Sequence, residues 1–85
     1  MTDININRRD FIISLAGRDS GRVFIIAEVI GDEYVTLADG MLRSIEKPKK
    51  KKRKHVKRID IPPYDGIMSN RAVSKMVKDV ISGLS

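Results

Sequence analysis

The chain has 85 residues, 41% of them apolar, which suits one small domain with one modest core. It has no cysteine, which removes disulfides, thiol nucleophiles and cysteine-based zinc sites together. Its formal charge is +6, but nine of its seventeen Lys and Arg residues lie between positions 47 and 58, and no acidic residue interrupts them. The remaining 73 residues hold eight basic and eleven acidic groups, a net −3. A mildly acidic body with one dense cationic segment is suited to meet a polyanion at one place, whether RNA, DNA or an anionic membrane surface.

In chain order, residues 1–9 are mostly polar and are expected to form a flexible N-terminus. Asn7-Arg8-Arg9-Asp10-Phe11-Ile12-Ile13 has the look of a twin-arginine export signal. Its apolar stretch ends at Ala16, however, short of the roughly seven to fifteen residues and small-residue cleavage site that a signal core needs. The same residues read better as a first strand, Phe11 to Ala16. Gly17-Arg18-Asp19-Ser20-Gly21 closes it, and a second strand, Val23 to Ile30, is dense in β-branched residues. Gly31-Asp32 is a type II′ hairpin signal before a third strand, Tyr34 to Ala38. Asp39-Gly40 is a type I′ signal leading to a fourth, Met41 to Glu46. His55 to Ile61 makes a fifth strand, which Pro62-Pro63 stops.

Five short antiparallel strands over residues 10–61 are best protected by closure into a small barrel. Val23, Ile25, Ala27 and Val29 alternate onto one face and are the expected core, joined by Val35 and Leu37. Arg22 and Glu28 then fall on an opposite, wetter face. Residues 62–85 form a linker and a helix. Ser69 can cap that helix, and Ala72, Val73, Met76, Val77, Val80, Ile81 and Leu84 follow at helical spacing, with Lys75, Lys78 and Asp79 on the other side. The stripe should pack on the barrel; without Trp or Phe it is poorly suited to a membrane surface.

The cationic segment comprises Lys47, Lys49, Lys50, Lys51, Lys52, Arg53, Lys54, Lys57 and Arg58. As a basic loop over residues 47–58, its like charges repel, so it is expected to stay disordered until an anion neutralises it. Two other readings stand beside this one. Pro48 to Lys54 also fits a nuclear import address, and a charge run can be merely a solvated face.

Gly17 through Ile30, followed by Tyr34-Val35-Thr36-Leu37-Ala38-Asp39-Gly40, resembles a KOW motif: a glycine- and arginine-bearing loop, an alternating strand, a short turn, a second strand and a closing Asp-Gly. The continuation Leu42-Arg43 and the lysine run through His55-Val56 are similar to bacterial KOW-domain RNA-binding proteins, and so to a class of large-subunit ribosomal proteins. The likeness covers residues 10 to 60. It implies a mainly β fold, a five-stranded SH3-like barrel of the translation type; the C-terminal amphipathic α-helix lies outside the motif, and the resemblance assigns it no role. It also implies a cytoplasmic RNA-binding protein, with RNA, ribosomal RNA in particular, or the ribosome as partner.

The residues support a backbone reader. Gly17 and Gly21 allow a tight loop to approach a phosphate closely, and Gly40 closes a turn. Arg18, Arg22 and Arg43 join the nine run residues as candidate RNA contacts, because guanidinium groups grip phosphates bidentately. Phe11, Phe24, Tyr34 and Tyr64 are too few to build stacking platforms. His55, the one histidine, lies among cations and has no catalytic partner nearby in sequence. No enzymatic activity, metal, cofactor, small-molecule substrate or membrane is expected. The alternative from another class is an interaction adaptor, in which the barrel or helix binds protein and the basic run only localises it.

Overall fold

The computed structural model describes residues 5–84. Five strands form one antiparallel sheet in the order β4-β3-β2-β1-β5. They are β1 (Phe11–Ser14), β2 (Val23–Ile30), β3 (Tyr34–Ala38), β4 (Lys49–Lys52) and β5 (Val56–Arg58), and one helix follows, α1 (Asn70–Leu84). The two edge strands are consecutive in the chain, separated only by a single 3-10 turn, Arg53–His55. The sheet therefore curls until its edges meet at that turn, yet no ladder joins β4 to β5 and the sheet stays open.

Curling gives the sheet two buried faces. Inside the curl, Ile12, Phe24, Ile26, Val35, Leu37 and Val56 pack together with Ile6. On the outer face, Phe11, Val23, Ile25, Ala38 and Ile59 are covered by Val73, Val77 and Val80 of α1. This corrects the expected core. Val23 and Ile25 do share a face, but Val35 and Leu37 lie on the other one, with Phe24 and Ile26. The face expected to be wet is thus the interior. A register shift between Ile26 and Glu28 in the β2–β3 ladder makes Ala27 a bulge. Parity changes there, so Val29 pairs with Val35 and turns toward the interior cluster.

The N-terminal segment is anchored at two points: Ile6 is buried, and the Arg9 N–H donates to the Ile26 carbonyl at 2.8 Å. Asn5, Asn7 and Arg8 around Ile6 are exposed, and residues 1–4 of the expected flexible N-terminus lie outside the described range. β1 stops at Ser14 rather than Ala16, because the chain turns there into the β1–β2 loop. β5 is confined to Val56–Arg58, although the Ile59 N–H still reaches the Phe11 carbonyl at 2.8 Å.

Met41 to Glu46 is not a strand. The Asp39 carboxylate accepts hydrogen bonds from the backbone N–H groups of Met41 and Arg43, each at 2.9 Å, and wraps the chain into a tight turn. Asn70 holds the next residues, accepting from the Ile45 N–H at 2.8 Å and donating to Glu46 at 2.8 Å. The fourth strand lies instead inside the lysine run, and the segment expected to be a disordered loop is ordered as β4, the 3-10 turn and β5. Backbone pairing of Lys49–Lys52 with β3 needs no apolar side chain, which is why no hydrophobic pattern marks it.

Helix α1 begins where the sequence places it. The Ser69 hydroxyl accepts from the Ala72 N–H at 3.2 Å and caps the first turn. Of the apolar stripe, Val73, Val77 and Val80 are buried, whereas Met76, Ile81 and Leu84 stay exposed.

Candidate nucleic-acid interface

The basic run does not act as one patch. Along β4, Lys49 and Lys51 point into the curl beside Leu37 and Val35, while Lys50 and Lys52 point outward beside Thr36 and Tyr34. Lys51 is buried at 8% exposure, an unusual place for an ammonium group. It donates to the Ser14 hydroxyl at 2.8 Å, to the Ala16 carbonyl at 2.7 Å and to the Asp19 carboxylate. Asp19 also accepts from Ser14 at 2.9 Å and from Lys49 at 3.2 Å. Burial works against the Asp19 carboxylate, but the hydrogen bonds from Lys51, Ser14 and Lys49 and the charge of Lys51 outweigh it, holding this carboxyl well below the usual range. The network pins the β1–β2 loop to β4.

On the outer face, the Lys50 ammonium sits 4.4 Å from the centre of the Tyr34 ring, so that ring is already covered by a cation. Lys52, Arg53 and Lys54 line a hollow with Asp32 and Glu33, acidic residues of the β2–β3 turn. Lys47 and Lys57 are exposed and stand apart, and Arg58 lies 3.9 Å from Asp60. That end of the run is partly neutralised by local carboxylates.

The other end also holds carboxylates, Asp19 in the lining and Asp39 behind Arg22, but four cations outnumber them there. Arg18 and Arg22 from the β1–β2 loop, Arg43 from the β3–β4 loop and Lys49 at the start of β4 line one crevice of about 420 Å³, with Leu42 and Phe24. Leu42 is 66% exposed at its rim. Lys49 and Lys52 are about 10 Å apart along β4, so the crevice is separate from the mixed hollow. Four expected contacts, distant in sequence, converge here, whereas Lys50, Lys52, Arg53, Lys54, Lys57 and Arg58 do not. Gly17 and Gly21, with φ of +84° and +86°, shape the loop that carries the two arginines.

Two aspartates that sequence reasoning passed over as turn residues organise this crevice. Asp19 holds Lys49. Asp39, buried at 1% exposure, lies 3.8 Å from the Arg22 guanidinium and binds the backbone N–H of Arg43. Held before a ligand arrives, Lys49 and Arg22 lose less side-chain freedom on binding it. An arrangement of three guanidinium groups and one ammonium can grip two or more oxyanions, and the described residues place no histidine or cysteine in it. No helix of the described residues is long and apolar enough to cross a membrane. No protein-family model matches the chain, and no curated protein matches it.

Proposed function

We propose that this protein binds structured RNA through the Arg18–Arg22–Arg43–Lys49 crevice, as a KOW-type module on a small SH3-like barrel. The observation that carries the reading is the convergence of these four cations from separate loops and a strand onto one concave surface. Support for the barrel comes from the curl of the sheet and the three-residue connection between its edge strands. The KOW likeness of residues 10 to 60 makes ribosomal RNA the first candidate, with the protein acting at the ribosome in the cytoplasm. Recognition would rest on phosphate positions and RNA shape, because Tyr34 is covered by Lys50 and Phe24 is buried, leaving little open aromatic surface for base stacking.

Neutralising about four phosphates in the crevice should give a slope of log K against log salt of about −3 to −3.6. Changing Arg18, Arg22 and Arg43 together to Gln should cost most of the affinity for a structured RNA and flatten that slope by about 2 to 3. Changing the outward Lys50, Lys52 and Lys57 to Gln should cost less and affect all RNAs alike. Fluorescence anisotropy with a folded hairpin and a random single strand checks both. If the outward triple variant loses more than the crevice variant, the interface is the outer face and this reading is wrong.

A further inference from the structure

We propose that a second surface, the groove between α1 and the 59–65 segment, docks a short protein segment with aliphatic or aromatic side chains flanked by Lys or Arg. It is distinct from the cationic crevice and does not rest on RNA binding.

The groove encloses about 520 Å³, within the range of well-formed ligand sites. Phe11 forms its floor; Ile61, Pro63 and Tyr64 form one wall, and Met76 and Leu84 of α1 the other. The walls are fixed in place. Tyr64 packs edge-to-face on Phe11 with ring centres 6.3 Å apart, its hydroxyl donates to the Ile67 carbonyl at 2.7 Å, and Arg9 lies 5.9 Å from its ring centre. Proline fixes the backbone beside it. A rigid apolar groove loses little entropy when it is filled.

Charge decides the occupant. Asp65 and Asp79 line this groove, on a chain whose formal charge is +6. Neither is held in an ion pair among the described residues, although Lys75 stands one helical turn before Asp79. Two carboxylates beside apolar walls favour a segment that carries cations next to its apolar side chains. The cation at the wall, Arg9, is engaged by the Tyr64 and Gly66 carbonyls at 3.2 and 2.8 Å, and repulsion from the distant basic run is screened beyond about 8–10 Å in physiological salt. Gly83 supplies a means of blocking the site. It lines the groove, and a Cβ added there meets no atom within 4 Å.

The test titrates the isotope-labelled full chain with two synthetic amphipathic peptides that share one Leu/Phe face, one with Lys and one with Glu on its polar face. The Lys peptide is expected to shift the amides of Tyr64, Asp65, Met76 and Leu84 and to bind about fivefold tighter than the Glu peptide, a preference that shrinks as salt rises. Gly83→Leu should abolish binding while leaving the fold and RNA affinity intact, since leucine is the better helix former. Changing Asp65 and Asp79 to Lys should reverse the preference. Absence of shifts in the groove with the Lys peptide overturns the proposal, as does equal binding of the two peptides. Self-association of the free chain that Gly83→Leu abolishes would make a second copy the occupant and also overturn it.

Discussion

Gly40→Ala should be among the most damaging single substitutions in this protein. A Cβ at position 40 would lie 2.2 Å from the Asn70 carbonyl oxygen and 2.9 Å from the Ser74 nitrogen, both backbone atoms of the first turns of α1. Backbone cannot step aside as a flexible side chain can, so the helix must shift off the sheet. The shift would pull Val73 and Val77 away from Ile25 and Ala38 and disturb the Asn70 contacts to Ile45 and Glu46. Gly40 also has a φ of +75°, where a non-glycine residue adds about 1–2 kcal/mol. With an overpacking cost of about 1–3 kcal/mol, the total should reach about 2–5 kcal/mol, a large share of the stability of a small domain. Chemical denaturation of wild type and Gly40→Ala measures this directly. Gly21→Ala is the control: its φ of +86° carries the conformational cost, but nothing lies within 4 Å of the added Cβ. Equal losses at the two positions would mean that the helix contact at Gly40 contributes nothing.

The second large effect belongs to the buried ion cluster, and its two partners should differ. Asp19→Asn leaves the buried Lys51 ammonium without a countercharge, with only neutral acceptors such as the Ser14 hydroxyl, the Ala16 carbonyl and an amide oxygen, and removing one charge of a buried pair costs about 3–5 kcal/mol. Lys51→Met should cost less, about 2 kcal/mol, because Lys49 and Ser14 still hold Asp19 and methionine fits the apolar surroundings of Val35 and Leu37. The pH dependence follows the same group. With its carboxyl held below the unfolded value of about 3.9, Asp19 contributes stability that is fully present above that pH and is lost as pH falls toward its folded value. Wild type should therefore lose stability on acidification below about pH 4 more steeply than Asp19→Asn. Melting curves across that range check it; parallel profiles would show that the cluster adds nothing to acid sensitivity.

These two sites also mark how far the sequence is legible. β2, β3 and α1 stand where β-branched density, the turn glycines and the Ser69 cap put them, because in each the local preference and the tertiary demand agree. β4 was unreadable for a physical reason. Four lysines have no inside and outside until Asp19, Ser14 and the β3 backbone supply one, and none of these is near in sequence. Met41 to Glu46 misled in the opposite way. It has the composition of a strand after a hairpin signal, but the Asp39 side chain captured the backbone donors that a strand would have used. The bulge at Ala27 left no mark in the alternation and exchanged the faces beyond it. For the candidate site, residue types place Arg18, Arg22, Arg43 and Lys49 among twelve cationic candidates, but which of the twelve converge, and the division of the lysine run into an inward pair, an outward pair and a locally neutralised end, are tertiary facts. Asp19 and Asp39 carried no signal beyond that of ordinary turn residues, since an acidic residue in a basic site looks unfavourable until its geometry is known.

The claim that the crevice is the RNA-binding surface is tested most directly by an amide and side-chain NMR footprint of the full chain titrated with a folded RNA hairpin. The largest shifts are expected at Arg18, Arg22, Leu42, Arg43 and Lys49, with protection of the arginine side-chain N–H groups and small changes at Lys54, Lys57 and along α1. A footprint centred on Lys52 to Lys57, or on the exposed side of α1, with the crevice unchanged, would contradict it.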